Sequence, residues 1–106
     1  MKSYDVMLCC GAGFSSGFLA QKARKAAKKR KLNLNIEARS ESVITEYLDQ
    51  INILLIGPHY KSAFDHLKTL CEPRGIKVEM IPASTYSNID GEALLDQIVR
   101  LTGEEN

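Results

Sequence analysis

The stretch Tyr4–Gly17, with the sequence YDVMLCCGAGFSSG, decides the fold of this chain. The apolar run within Tyr4–Cys10 predicts a buried strand, and the small residues of Gly11–Gly13 predict a tight turn after it. Beyond the turn, apolar side chains recur at helical spacing, which predicts a helix from residue 15 or 16 to residue 30. A strand, a short turn and a helix in this order form the first half of a parallel α/β unit.

The rest of the chain repeats this alternation of strands and helices. Period-2 alternation predicts an edge strand at Asn33–Ala38, and a nearly continuous apolar run predicts a central strand at Ile51–Ile56. The other predicted elements are a short helix capped by Ser40 or Ser42, a third helix through Ala63–Cys71 ended by Pro73–Gly75, a fourth strand at Ile76–Ile81, and a last helix that Asp90 caps and that runs through Leu101.

Four strands joined by helical crossovers predict an α/β fold: a single three-layer domain over residues 1–106, in which helices flank a four-stranded parallel sheet. We expect the strand order 2-1-3-4 and a frayed tail at residues 102–106. In this order the connections after the first and third strands leave toward opposite faces, so a crevice opens at their carboxyl ends. Three segments meet there: Cys10–Ser16, Gly57–His59 and Pro82–Tyr86.

Composition and charge describe an ordinary soluble globular domain and exclude several classes of protein. The chain has 106 residues, of which 44% are hydrophobic and 25% charged, with a formal net charge of +1. The apolar stretch Val6–Leu19 is too short for a membrane-spanning helix, and no cleavage pattern of a signal peptide closes it. An odd number of cysteines, three, fits a reducing compartment. We therefore expect a cytoplasmic protein without direct membrane insertion.

A basic cluster spans Lys22–Lys31, where seven of ten residues are Lys or Arg. Cations in the last turns of a helix complement its dipole, so the structural interpretation is a solvated helix face. Docking to an acidic partner is the functional alternative. We expect no nucleic-acid binding, because the net charge is near zero and no aromatic residue interleaves the cluster.

The turn after the first strand carries the candidate chemistry. Small residues let consecutive backbone N–H groups form a concave nest, and the following helix N-terminus adds further donors and its positive dipole end. The same field favours the thiolate of Cys10, which makes this cysteine the candidate catalytic nucleophile. A thiolate beside a phosphate cradle indicates phosphoryl transfer through a phosphocysteine; the alternative is a plain buried cysteine at a strand end. The predicted phosphate-binding residues are Gly11, Ala12, Gly13, Phe14, Ser15 and Ser16.

Residue spacing separates this loop from other phosphate loops. A dinucleotide fingerprint needs Gly-x-Gly-x-x-Gly, whereas Gly11, Gly13 and Gly17 leave one residue too many, and the Gly-Lys-Ser/Thr ending of a nucleoside-triphosphate loop is absent. Small cysteine phosphatases and arsenate reductases carry an Arg six residues after the Cys, where this chain has Ser16. Without a guanidinium to stabilise the transition state, hydrolysis of a phosphocysteine should be slow, which favours a carrier.

The other cysteines and histidines have plainer interpretations. Cys9 points to the opposite face of the strand from Cys10, so we expect it to pack as a small hydrophobe. Cys71 falls on an apolar helix stripe and should also lie in the core. His66 is expected at the surface, and the role of His59 is open. No spacing typical of metal ligands is present, so we expect no metal and no cofactor.

The stretch Leu8–Ser16, with the sequence LCCGAGFSS, resembles the cytoplasmic IIB component of the bacterial sugar phosphotransferase system (PTS), in its lactose/cellobiose (chitobiose) class. Two further matches follow in order, LIGP at Leu55–Pro58 and YSNIDG at Tyr86–Gly91, and the resemblance spans about Asp5–Leu101. The departures from the family pattern are Phe14 in place of the usual Met, Gly17 in place of a common Ser, and His59 in place of a frequent Gln.

The resemblance implies a phosphotransferase that carries a phosphoryl group on Cys10. Cys10 would accept the group from a phosphohistidine of a IIA partner and pass it to a sugar bound by the membrane transporter IIC. The implied sugar is a β-linked disaccharide such as cellobiose, chitobiose or lactose. A small cysteine phosphatase or arsenate reductase, and a non-catalytic anion-binding regulatory module, remain as alternatives. The candidate partner-docking residues are Phe14, Pro58, His59 and Tyr86.

Overall fold

The computed structural model describes residues 4–9, 14–58 and 61–103. The predictions for Cys10, Gly11–Gly13 and His59 therefore lie outside the described residues. In chain order the elements are β1 (Tyr4–Cys9), α1 (Phe14–Lys29), β2 (Leu34–Arg39), α2 (Glu41–Ile44), β3 (Ile53–Ile56), α3 (Lys61–Cys71), β4 (Lys77–Met80), α4 (Ala83–Ser87) and α5 (Gly91–Thr102). Single turns of 3-10 helix follow α2 at Thr45–Tyr47 and α3 at Glu72–Arg74.

The strands form one parallel sheet in the order β2-β1-β3-β4, which confirms the predicted fold class and strand order. β1 lies between β2 and β3, so that Val6 is aligned with Ile36 on one side and with Ile53 on the other. All four residues of β3 are buried, as expected for a central strand covered on both faces. The apolar run of the sequence thus becomes the middle of the sheet.

Alternate residues of the strands supply two separate cores. Val6 and Leu8 pack with α1 and α5 on one face of the sheet, whereas Met7 and Cys9 pack with α3 on the other. This alternation follows from the two-residue period of a strand, which sends successive side chains to opposite faces. The domain therefore has the predicted three layers, with a helical layer on each face of the sheet.

The starts of α1 and β3 differ from the predicted ones. α1 begins at Phe14 rather than at residue 15 or 16, so Phe14–Ser16 form the first turn of a helix and not part of a loop. β3 begins at Ile53 rather than at Ile51, and Asn52 just before it makes two hydrogen bonds to Asp5. The Asp5 amide donates to Asn52 Oδ1 (2.8 Å), and the Asn52 amide donates to the Asp5 carbonyl oxygen (2.8 Å). Asn52 therefore joins the start of β3 to β1 through both its side chain and its backbone.

Other predicted boundaries shift by one residue, and one helix was missed. β2 and β4 are displaced or shortened by a single residue at their ends. The five-residue helix α4 follows Pro82 and has no counterpart in the sequence prediction, because so short a helix shows no periodicity. Thr102, predicted to be frayed, belongs to α5 and its Oγ1 donates to the Val99 carbonyl oxygen (2.7 Å).

The two predicted helix caps have opposite outcomes. Asp90 caps α5 as predicted, since its Oδ1 accepts a hydrogen bond from the Ala93 amide (3.1 Å). Ser40 stands at the N-cap position of α2, one of the two predicted positions, but its side chain makes no capping hydrogen bond. α2 has only four residues and continues directly into a 3-10 turn. Backbone rather than a side chain accepts near its start: the Val43 amide donates to the Ser40 carbonyl oxygen (3.1 Å).

Candidate functional site

The carboxyl ends of β1 and β3 lie side by side at the point where the strand order reverses. The Gly57 amide donates to the Cys9 carbonyl oxygen (2.9 Å), and the Ile81 amide donates to the Ile56 carbonyl oxygen (2.8 Å). These two bonds fix the ends of β1, β3 and β4 relative to one another just beyond the regular ladder. This edge is the switch point at which open parallel sheets bind ligands.

Cys9 is the last residue of β1 and is fully buried in the core cluster on the α3 face. Its burial confirms that it packs as a small hydrophobe. Cys10 follows it in the chain, and with Gly11–Gly13 it lies outside the described residues. The catalytic role of Cys10 and the phosphate-binding role of the loop therefore stay predictions.

The next described element, α1, presents its N-terminus at the carboxyl edge of the sheet. α1 runs for 16 residues from Phe14, and its first turn contains no acidic residue. The first amides of a helix lack intrahelical acceptors, and its dipole is positive at this end. No carboxylate of the first turn of α1 compensates this positive potential. The N-terminus of α1, which begins four residues after Cys10 in the chain, therefore favours an anion.

Two of the predicted docking residues lie along the same edge. Pro58 is half-buried and directly follows the buried Gly57 at the end of β3. Tyr86 is half-buried on α4, where it packs against the core cluster of the α1 face. Part of the Tyr86 ring therefore serves the core, and only the remainder is accessible to a partner.

The exposed ring of Phe18 was missed by the sequence analysis. Its exposed fraction is 54%, and it lies one turn beyond the first residue of α1. The signal was present in the sequence: the buried positions of α1, including Leu19 and Ala23, define one helix face, and Phe18 lies off that face. An aromatic residue outside the apolar stripe of an amphipathic helix points to solvent.

The described residues offer one further thiol and no metal site. Burial raises the pKa of the Cys71 thiol, and the weaker attraction of Arg74 opposes this shift. A buried thiol with a raised pKa is a poor nucleophile, as expected for a core residue. In residues 4–9, 14–58 and 61–103, no group of three or more His, Cys, Asp or Glu side chains is placed to hold a metal ion. His66 is exposed, as predicted.

Fold and site together define a class of protein: a small parallel α/β domain in which the first strand ends at the switch point and the next described residues begin a helix. The family model of the PTS system lactose/cellobiose specific IIB subunit matches residues 5–97, and the chain belongs to this family.

Two solved structures are similar to this chain. The lactose-specific IIB domain of the PTS from Streptococcus pneumoniae superposes with a TM-score of 0.85 at 15% identity, covering 93% of this chain and 97% of that domain. The cellobiose-specific phosphotransferase IIB component from Borrelia burgdorferi superposes with a TM-score of 0.77 at 31% identity, covering 93% and 91%. The first likeness establishes the fold, and the second supports the family as well.

Relatives by sequence include the PTS system lactose-specific EIICB component of Lacticaseibacillus casei, which is 28% identical over 94 residues. The match covers 87% of this chain and 16% of that protein. The chain spans only 16–17% of the length of the lactose-specific relatives that it matches first. No helix within the described ranges is long and apolar enough to cross a membrane.

Proposed function

We propose that this chain is a phosphoryl carrier in a sugar phosphotransferase system, with Cys10 as the residue that holds the phosphoryl group. The Cys10 thiolate attacks the phosphorus of a phosphohistidine on the IIA partner: the S–P bond forms, the N–P bond breaks and the imidazole takes up a proton. In the second step a sugar hydroxyl attacks the phosphorus. The O–P bond forms, the S–P bond breaks, and the thiolate is regenerated as the hydroxyl proton leaves.

Membership of the IIB family carries this proposal. The described residues are consistent with it, because Cys9 and Cys71 are both buried in the core. Cys10 stands four residues before the first residue of α1, and the first turn of this helix contains no acidic residue. We assign phosphoryl binding to Gly11, Ala12, Gly13, Phe14, Ser15 and Ser16, and partner contact to Phe14, Pro58, His59 and Tyr86.

The partners and the sugar follow from the family. The relatives named EIICB combine IIB and IIC in one designation, which supports a membrane transporter IIC as the acceptor side of the exchange. A IIA phosphohistidine is the proposed donor. The relatives are lactose-specific and one similar structure is cellobiose-specific, which supports a β-linked disaccharide as the sugar. The proposed location is the cytoplasmic side of the membrane.

Incubation with phosphorylated IIA tests the assignment of Cys10. Intact-mass spectrometry should show one added phosphoryl group, and peptide mapping should place it on Cys10. Cys10→Ser should abolish acceptance, whereas the control variant Cys71→Ala should retain it after its folding has been verified by circular dichroism. A phosphoryl group mapped to Cys9, Cys71, His59 or His66 would overturn the assignment.

The phosphatase alternative makes a different prediction. Because Ser16 stands where phosphatases of this type carry Arg, the unmodified protein should be nearly inert toward aryl phosphates. Brisk turnover without a partner would favour the phosphatase. A regulatory anion-binding module would keep its function in Cys10→Ser, so loss of sugar phosphorylation in that variant argues against this alternative.

A further inference from the structure

The structure divides the basic cluster Lys22–Lys31 into two groups. Arg24 Nη1 donates to the Ile36 carbonyl oxygen (2.6 Å) and so ties α1 to β2. Arg30 pairs with Glu92 (2.6 Å) and Asp96 (2.8 Å) on α5, and these hydrogen bonds raise its pKa. The two arginines therefore serve the fold, as the structural interpretation of the cluster requires.

The lysines of the cluster have no such role. All five are exposed, and none of them forms an ion pair with another residue in the described part of the chain: Lys22, Lys25, Lys28, Lys29 and Lys31. α1 contains no Asp or Glu at all. Like charges three and four residues apart on a helix repel each other, so this lysine face lowers the stability of α1. Attraction to the helix dipole accounts only for Lys28 and Lys29, the lysines in the last turn of α1.

Three of these lysines line up with the exposed ring of Phe18. Phe18, Lys22, Lys25 and Lys29 follow one another at intervals of four, three and four residues, which places them on one side of the helix. The stripe extends over roughly 16 Å at ~1.5 Å per residue. It carries one apolar ring at the end near the site and three positive charges beyond it.

We propose that this stripe, Phe18, Lys22, Lys25 and Lys29, binds an anionic lipid surface. The four side chains of the stripe are exposed, so they offer a line of charges rather than a recess that encloses a partner's side chains. Lysine ammonium groups are flexible point charges that suit headgroups without a fixed position. A phenylalanine ring at one end can insert at the headgroup boundary. An anionic membrane supplies both complements at once.

The inference goes beyond the proposed phosphoryl transfer and does not require it. Charge attraction to the membrane would hold the domain in the layer where a membrane transporter operates, with the N-terminal end of α1 at one end of the contact. Each lysine near an anionic bilayer strengthens binding about fivefold, and this attraction weakens as salt screens it. Three lysines therefore provide a contact that is strong in combination and reversible.

Vesicle flotation tests the inference with the unphosphorylated chain. Vesicles of phosphatidylcholine alone should leave the protein in solution, whereas vesicles that also contain phosphatidylglycerol should carry it along at low salt and release it at high salt. Replacing Lys22 and Lys25 together by Gln should weaken this binding about 25-fold, because each lysine contributes a factor of about five. Phe18→Ser should weaken it by a smaller factor.

The control removes two lysines from another part of the surface; because Lys77 donates to the Leu101 carbonyl oxygen, the folding of this variant is verified by circular dichroism. Lys68→Gln with Lys77→Gln changes the net charge by the same amount and should leave vesicle binding within about twofold, since neither lysine lies on α1. Equal loss in both double variants would mean that net charge alone acts, and would overturn the inference. Absence of flotation of the unmodified protein with anionic vesicles would also overturn it. The same holds if the unmodified protein binds IIA in a salt-sensitive way but not vesicles, and the Lys22/Lys25 variant loses that IIA binding. Because the assay needs no phosphoryl donor, its failure leaves the role of Cys10 intact.

Discussion

The two faces of the sheet are covered by helices of different character. On one face, α1 contributes mostly alanines to the core, and α5 approaches it closely at Gly91. On the other face, α3 contributes larger side chains, among them the buried Leu67 and the half-buried Phe64. Small residues bring helix backbones together, whereas large ones fill space between layers. We therefore expect the first face to be sensitive to added volume and the second to lost volume.

Loss of volume on the α3 face should have the largest effect. Leu67 is 2% exposed within the core cluster that also contains Cys9. Leu67→Ala should lower the free energy of unfolding by about 2–5 kcal/mol, because the layer cannot fully collapse onto the cavity. Urea unfolding followed by circular dichroism measures this loss. Leu67→Met, which keeps the volume, should cost less than about 1.5 kcal/mol, and equal losses for both variants would contradict the cavity explanation.

Added volume on the α1 face should have the next largest effect. A Cβ atom at Gly91 would lie 2.6 Å from the carbonyl carbon of Lys22 and 2.8 Å from the amide nitrogen of Ala23. These are backbone atoms, so α1 and α5 must move apart, and Gly91→Ala should cost about 1–3 kcal/mol in urea unfolding.

Gly17 provides the matched control for Gly91. It lies in α1, and a Cβ atom there would meet nothing within 4 Å. Gly17→Ala should therefore stabilise the protein by about 0.5–1 kcal/mol, because a helical glycine loses more backbone entropy than alanine on folding. A similar sign for the two substitutions would show that close packing of α1 and α5 is not what requires Gly91.

The start of α5 should matter somewhat less. Asp90 Oδ1 accepts from the Ala93 amide, and the next residue is Gly91, which sits against α1. Asp90→Ala should lower the free energy of unfolding by about 0.5–2 kcal/mol through loss of the cap. Asp90→Asn keeps an acceptor oxygen and should lose much less. If both variants lost the same amount, the charge of Asp90 rather than its capping bond would be responsible.

The smallest effect concerns the thiol in the α3 layer. Burial raises the folded-state pKa of Cys71, so the protonated thiol is favoured in the folded protein. The associated stability is fully present below the pKa of the unfolded thiol and is lost as pH rises through the higher folded pKa. Unfolding measured across the alkaline range should show a slight decline that Cys71→Ala removes. Iodoacetamide should label Cys71 only after unfolding, and rapid labelling of the folded protein would contradict its burial.

Local patterns were enough to predict the architecture. The run at Ile53–Ile56 indicated a central strand because a strand covered on both faces needs apolar residues at every position. The alternation in β2 indicated an edge strand for the converse reason. Asp90 was identified as a cap, because capping depends on residues only three positions apart. The phosphate-binding loop, in contrast, is still a prediction from sequence and family.

The exact starts of elements were harder to predict, because distant residues decide them. β3 begins two residues later than predicted, after Asn52, whose side chain accepts a hydrogen bond from Asp5, 47 positions away in the chain. α4 is fixed where it follows β4 and packs against α1, and its five residues are too few to show a period. In each case the contact that sets the boundary is absent from the local sequence.

The sequence by itself determined the four strands and their order in the sheet, the longer helices and the place of Cys10 before a helix, since periodicity encodes which face of each element is buried. Only the tertiary structure decided which members of the basic cluster are partnered. Arg30 is bound by Asp96, 66 positions away, while the lysines beside it face solvent. A charge pair between two helices depends on how those helices pack, and no pattern within one helix contains that information.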